Sequence, residues 1–108
     1  VEVFYFHRTE RCATCNAIEE GLTSVLNTTY KRDIKKGNIL FLSIDYEDKA
    51  NSEVVDLYEI DNPTLLLIYN KKGKQEFVNL TDDAFTYARK DPAKYKKIIK
   101  SKINEFFR

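Results

Sequence analysis

The chain contains two cysteines, Cys12 and Cys15, separated by two residues. This spacing is typical of redox-active thiol pairs, because one sulfur can attack a disulfide and the second can then displace the product. The pair follows an apolar segment and opens a helical pattern. At a helix start, unpaired N–H groups and the helix dipole stabilise an anion. The pattern therefore predicts a reactive thiolate at Cys12 and a more buried, resolving thiol at Cys15.

Polar and charged residues flank the pair. We expect the positive charges of Arg8 and Arg11 to favour the Cys12 thiolate further. His7 is the single histidine, and an imidazole can exchange protons near neutral pH. The sequence leaves two interpretations of His7 open: a proton-transfer group for the thiols, or a histidine at the end of a strand with no chemical role.

Two structural interpretations of the cysteine pair compete with redox exchange. A permanent disulfide at this spacing closes a very short loop and constrains the unfolded chain little. A closed zinc site needs four ligands, so carboxylates or a second chain would have to supply what Cys12, Cys15 and His7 do not. We therefore favour redox exchange and predict neither a metal site nor an organic cofactor.

The elements that must position these residues alternate between strands and helices. An apolar, β-rich segment at residues 1–7 precedes the cysteines. In the helix that follows, apolar residues recur every three or four positions, while Glu19 and Glu20 are placed on the opposite, solvent-facing side. Thr81 and Asp91 are predicted N-caps of the last two helices. The other predicted elements are strands at 39–44, 65–69 and 75–80, a hairpin turn at 70–74, and helices at 51–58, 82–89 and from 92 onward.

This order predicts one α/β domain covering residues 1–108. Strands joined through helices pair in parallel, whereas the short hairpin pairs the last two strands antiparallel. The expected architecture is a mixed four-stranded sheet with helices on both faces.

Composition excludes several classes of protein. The 108 residues include 18 basic and 17 acidic side chains, so the net charge is +1 and there is no overall electrostatic case for binding nucleic acid. No apolar run approaches the roughly 20 residues of a membrane span. A chain of this length can bury its own core, and we expect a monomer. Because the sequence begins at Val1 rather than Met, we expect N-terminal processing and an extracytoplasmic protein, periplasmic or lipid-anchored, with a cytoplasmic location as the alternative.

Three features resemble the thioredoxin superfamily over nearly the whole chain. They are the strand and loop leading into CATC at a helix start, Asn62-Pro63-Thr64 before an apolar strand, and the Gly73 hairpin followed by a C-terminal helix. The stretches FHRTERCATCNAIEE, FLSIDYE, NPTLLLIY and NLTDDAFTYAR are similar to bacterial thioredoxin-like proteins of the ArsF family, described as nitrophenyl compound nitroreductase subunits. That resemblance implies an association with arsenic operons.

The superfamily resemblance implies a thioredoxin-like fold and thiol–disulfide exchange with a protein or small-molecule partner. It also implies that the peptide bond before Pro63 is cis and that Asn62 and Pro63 form the groove for a bound partner. The chain departs from thioredoxins at three places. Arg11 replaces a tryptophan, Ala13-Thr14 replaces Gly-Pro, and Phe6 replaces a buried acid, whose proton-transfer role would pass to His7 or Glu10.

Two further functions remain open at this stage. Cys12 and Cys15 could hold a soft ion such as trivalent arsenic or zinc without turnover, because thiolates suit soft ions. Alternatively, the domain could serve only as a protein-interaction module.

Overall fold

The computed structural model describes residues 1–107, which form four strands and five α-helices. A short 3-10 helix, Lys49–Asn51, precedes the third α-helix. The elements, in chain order, are β1 (Glu2–His7), α1 (Ala13–Thr28), α2 (Lys31–Lys35), β2 (Leu40–Asp45), α3 (Ser52–Leu57), β3 (Thr64–Lys71), β4 (Lys74–Asn79), α4 (Thr81–Tyr87) and α5 (Pro92–Phe106).

The strands form a single mixed sheet in the order β2-β1-β3-β4. β1 pairs parallel with β2, β3 pairs antiparallel with β1, and β4 pairs antiparallel with β3. The tight β3–β4 turn places Lys72 and Gly73 at φ 52° and 79°, and glycine adopts such positive angles without steric cost. The predicted α/β architecture and mixed four-stranded sheet are confirmed.

β1 is the central strand and is buried on both faces. Side chains alternate along a strand, so Val3 and Tyr5 face one side of the sheet while Phe4 and Phe6 face the other. All four are at most 6 % exposed. A continuous apolar run of this kind is what a strand covered on both sides requires.

The larger core lies between one face of the sheet and the layer formed by α1, α4 and α5. α1 contributes buried apolar side chains at helical spacing, and α5 contributes a similar stripe. The principal members from these two helices are Ile18, Leu22, Val25, Leu26, Tyr95, Ile99 and Ile103.

A smaller core lies on the opposite face, under α3. Val54 and Tyr58 pack there against Phe4 and Phe6, which confirms helices on both faces of the sheet. Because α3 has only six residues, it covers part of this face. Apolar side chains at both lateral edges stay exposed, namely Leu40, Leu42 and Phe77.

Helix starts follow the predicted capping pattern at one site and depart from it at another. Asp91 Oδ1 accepts the Lys94 N–H at 3.2 Å, which confirms it as the N-cap of α5. The prediction of Thr81 as an N-cap is wrong, because Leu80 occupies that position. The Thr81 hydroxyl instead accepts the N–H of Leu65 at 3.0 Å and so ties α4 to β3.

The peptide bond before Pro63 is also not as predicted. No peptide bond among the described residues is cis, so the expectation of a cis bond at Pro63 is wrong. Trans is the lower-energy form by about 0.5–1 kcal/mol even before proline. The Thr64 hydroxyl donates to the carbonyl of Asn62 at 2.8 Å, which closes a turn across the trans proline.

Within residues 1–107, no helix is long and apolar enough to cross a membrane.

Gly21 of α1 lies against the Tyr95 ring of α5, and this contact generates a prediction. A Cβ at residue 21 would lie 2.5 Å from Cε2 of Tyr95. The Tyr95 ring is 1 % exposed and its hydroxyl donates to the Ile18 carbonyl at 2.9 Å, so the ring cannot easily move aside. Overpacking costs about 1–3 kcal/mol, which exceeds the helix-propensity gain of about 1 kcal/mol for alanine over glycine.

We therefore expect Gly21→Ala to lower the free energy of unfolding by up to about 2 kcal/mol in urea denaturation, which is the overpacking cost less the propensity gain. The exposed Glu20→Ala, on the same helix, should be close to neutral. In a Tyr95→Leu background, Gly21→Ala should lose its cost, as a double-mutant cycle would reveal. A stabilising Gly21→Ala in the wild-type background would contradict this account of the helix contact.

Candidate active site

Cys12 and Cys15 are joined in a disulfide at the start of α1. Cys12 is the N-cap of the helix, and its sulfur accepts the Cys15 N–H at 3.1 Å. The two Cα atoms lie 5.0 Å apart. Cys12 is exposed, whereas Cys15 is only 6 % exposed. An external thiol therefore reaches the pair through Cys12.

The electrostatic environment at Cys12 is that of an uncompensated helix N-terminus. The Cys12 carbonyl accepts the Asn16 N–H at 3.0 Å, which is the first hydrogen bond of α1. The first turn contains no acidic side chain that would offset the positive end of the dipole. When the disulfide is reduced, the Cys15 N–H and the dipole stabilise negative charge on the Cys12 sulfur.

Arg11, the residue before Cys12, is the centre of a polar network beside the disulfide. Its Nη1 donates to Glu19 Oε2 at 2.5 Å, and its Nη2 lies 2.8 Å from His7 Nε2. Ser43 on β2 donates to the same carboxylate. The network joins β1, α1 and β2 to the residue that directly precedes Cys12, so it holds the cysteine loop in place.

His7 is held between Arg11 and its own neighbouring backbone. The ring is 6 % exposed, and Nδ1 lies 2.8 Å from the Arg8 carbonyl. A carbonyl only accepts a hydrogen bond, so Nδ1 carries the proton; a guanidinium only donates, so Nε2 must accept. Both ring nitrogens are occupied, so His7 serves here as a linking residue of the network.

Glu19 and Tyr5 show the influence of burial and of the network on ionisation. Burial opposes the charge on Glu19, but hydrogen bonds from Ser43 and Arg11 outweigh it and lower the pKa of the carboxyl below 4.5. Burial raises the pKa of Tyr5 to about 12; Arg11 opposes this shift and Glu19 adds to it. The Tyr5 hydroxyl donates to the Cys15 carbonyl at 3.3 Å. Tyr5 is thus a neutral hydrogen-bond donor beneath the first turn of α1.

Arg8 points to a different set of groups. Its Nε donates to the Tyr46 hydroxyl at 2.8 Å. The next residue, Thr9, donates its N–H to Glu47 Oε1 at 2.9 Å and its hydroxyl to Asp45 Oδ2 at 2.7 Å. These contacts tie the cysteine loop to the acidic segment after β2. Within residues 1–107, neither Arg8 nor Arg11 hydrogen-bonds to a cysteine sulfur.

Asn62 and Pro63 lie at the same end of the sheet as the cysteine loop. Thr64 pairs with Phe6, so the chain before β3 runs beside the end of β1 from which the cysteine loop departs. Asn62 and Pro63 line a groove of about 750 Å³, together with Tyr58, Ile60, Phe77 and Asn79 among others. Neither cysteine lines that groove.

Glu19 and Ser43 belong to the polar network beside the cysteines, although the sequence pattern predicted neither of them there. Glu19 was placed on the solvent-facing side of α1, but it is half-buried and bonded to Arg11, whereas Glu20 is exposed. One signal was available: Glu19 lies four residues after Cys15, so the two occupy the same side of a helix. Glu10, the other candidate for proton transfer, is exposed.

No family model, curated protein or solved structure matches this chain significantly. The resemblance to the thioredoxin superfamily therefore stays a prediction.

A matched pair of substitutions tests the network. We expect Glu19→Gln to lower the free energy of unfolding at neutral pH by about 1 kcal/mol or less, because the ion pair is partly solvated. Glu20→Gln should have no measurable effect.

The stability lost in Glu19→Gln should also depend on pH. A lowered carboxyl pKa in the folded state contributes stability above the unfolded-state pKa, and this contribution disappears as pH falls through the folded-state value. The difference between wild type and Glu19→Gln should therefore shrink below about pH 4 in urea titrations. A difference that is equal at acidic and neutral pH would show that the charge of Glu19 is not the cause.

Proposed function

We propose that this chain is a thiol–disulfide oxidoreductase with a thioredoxin-like fold. The observation that carries the proposal is the position of the Cys12 sulfur: exposed, at the N-cap of α1, hydrogen-bonded by the Cys15 N–H and joined to a buried Cys15. A structural disulfide gains little from this placement, whereas a nucleophilic thiolate needs both the exposure and the dipole.

The proposed reaction uses the two sulfurs in sequence. In the reduced protein, the Cys12 thiolate forms a bond to one sulfur of a substrate disulfide, and the other sulfur leaves and takes a proton from solvent. Cys15 then loses its proton to solvent and forms a bond to the Cys12 sulfur, which releases the second substrate thiol. Two electrons pass from the cysteines to the substrate; the reverse sequence oxidises a dithiol.

The surrounding residues have positioning roles in this proposal. Arg11, His7 and Glu19 keep the cysteine loop against α1, so that the Cys12 sulfur stays beside the Cys15 N–H. We propose that the partner binds in the groove at Asn62 and Pro63, because that groove opens at the sheet end where the cysteine loop begins.

A redox titration of the cysteine pair in metal-free protein tests the proposal. We expect a reversible two-electron couple in glutathione or dithiothreitol buffers; a potential near about −270 mV would indicate a reductant and one near about −120 mV an oxidant. If no intramolecular disulfide forms at any ratio of thiol to disulfide, the proposal is wrong. Stoichiometric binding of arsenite or zinc by the two thiols would then be the better hypothesis.

Single cysteine variants test the order of the two sulfurs. Cys15→Ser should react with an aryl disulfide reagent and accumulate a stable mixed disulfide, because the resolving thiol is missing. Cys12→Ser carries the same change at the other sulfur and should react roughly 100-fold more slowly, since its remaining thiol is buried. Mass spectrometry identifies the adduct. Equal rates for the two variants would refute the assignment of Cys12 as the nucleophile.

A further inference from the structure

β2 forms one lateral edge of the sheet and lacks the features that protect such edges. It pairs only with β1 among the described strands. Of its six residues only the last, Asp45, is charged and none is proline or glycine, while Leu40 and Leu42 are 48 % and 41 % exposed. Natural edge strands usually carry charges, prolines or bulges that prevent pairing with another chain. The opposite edge, β4, does carry Lys74 and Glu76.

The hydrogen bonds at the two ends of β2 identify the backbone groups that face outward. The Leu40 N–H donates to the Val1 carbonyl at 2.9 Å, and the Tyr46 N–H donates to the His7 carbonyl at 2.9 Å. Even-numbered residues of β2 thus direct their backbone groups toward β1. Because these groups alternate along a strand, those of Phe41 and Ser43 point away from the sheet. They form a template for one further strand.

We propose that this template binds β2 of a second copy of the chain. The two strands run antiparallel about a two-fold axis through Leu42 that is perpendicular to the sheet. In this register Phe41 of each copy exchanges both backbone hydrogen bonds with Ser43 of the other. Leu42 lies opposite Leu42 of the other copy, and the two sheets of four strands become continuous.

Side-chain pairing in this register supports a second copy as the occupant. Leu40 of one copy lies opposite Ile44 of the other, on the same face as the central leucine pair. The symmetric registers centred on Phe41 or Ser43 place Ile44 opposite Asn38 or Leu40 opposite Tyr46. Only the register centred on Leu42 pairs Leu40, Leu42 and Ile44 all with aliphatic residues. The apolar side chains that α3 leaves exposed at this edge are thereby covered.

The charges that flank β2 are also self-complementary. Residues 31–36, before the strand, contain four basic side chains and one acidic one, and residues 45–49, after it, contain three acidic and one basic. Antiparallel pairing places the basic end of one copy beside the acidic end of the other. The sequence led us to expect a monomer. The unprotected edge strand β2 is the observation that favours a dimer instead.

Substitutions at Leu42 test both the dimer and its register. We expect the wild-type protein to form a dimer, measured by sedimentation, as its concentration is raised to about 500 μM. Leu42→Lys and Leu42→Asp should each be monomeric, because two like charges would meet at the axis. An equimolar mixture of the two should form a heterodimer again, since the opposite charges then face each other. Phe85→Lys, at an apolar site on α4 that is 38 % exposed compared with 41 % for Leu42, should leave the dimer intact.

Each result bears on the proposal separately from the proposed function. Circular dichroism should show that the variants are folded, and their cysteine redox potential should equal that of wild type. A wild-type monomer throughout that concentration range would overturn the proposal. So would a dimer that persists in Leu42→Lys, a dimer lost in Phe85→Lys, or a mixture of lysine and aspartate variants that stays monomeric.

Discussion

The burial of β1 on both of its faces is the constraint on which the rest of the structure depends. Val3 and Tyr5 require the helices of one layer, and Phe4 and Phe6 require α3 on the other side. The strand must therefore lie inside the sheet, with β2 and β3 as its neighbours. It ends at His7, so the cysteine loop begins at the end of a strand whose last five residues are buried.

The contacts of the loop from His7 to Cys12 fix the position of the Cys12 sulfur relative to this strand. Arg11 and Glu19 provide the main link, with His7 and Ser43 completing it. The positive charge of Arg11 is largely compensated by Glu19, so it contributes less to a thiolate at Cys12 than its sequence position implies. The first-turn N–H groups and the helix dipole remain the main source of stabilisation for an anion there.

The two edges of the sheet differ in how they meet solvent. β4 carries charged residues and ends a tight hairpin, which suits a strand exposed along one side. β2 is apolar because it contributes Ile44 to the smaller core and Phe41 to the larger one, and its remaining leucines are left at the surface. The same strand supplies Ser43 to the polar network, so the open edge and the disulfide share one element.

Most of the architecture was predictable from local patterns in the chain. Apolar periodicity, the glycine of the hairpin and the position of the cysteines each act within a few residues, so they correctly indicated the four strands, the helix at Cys12 and the N-cap at Asp91. The exposure of Cys12 and the burial of Cys15 followed from the same helical spacing.

The features that local patterns did not reveal depend on residues far apart in sequence. Glu19 turns inward because Arg11 and Ser43 approach it from a loop and another strand. The Thr81 hydroxyl binds β3 instead of capping its own helix. The trans Pro63 is a local exception: Thr64 closes a turn onto Asn62 two residues away, and the cis expectation came from the family resemblance rather than from the local sequence. A polar side chain binds the strongest partner within reach, and only the folded chain determines which partners those are.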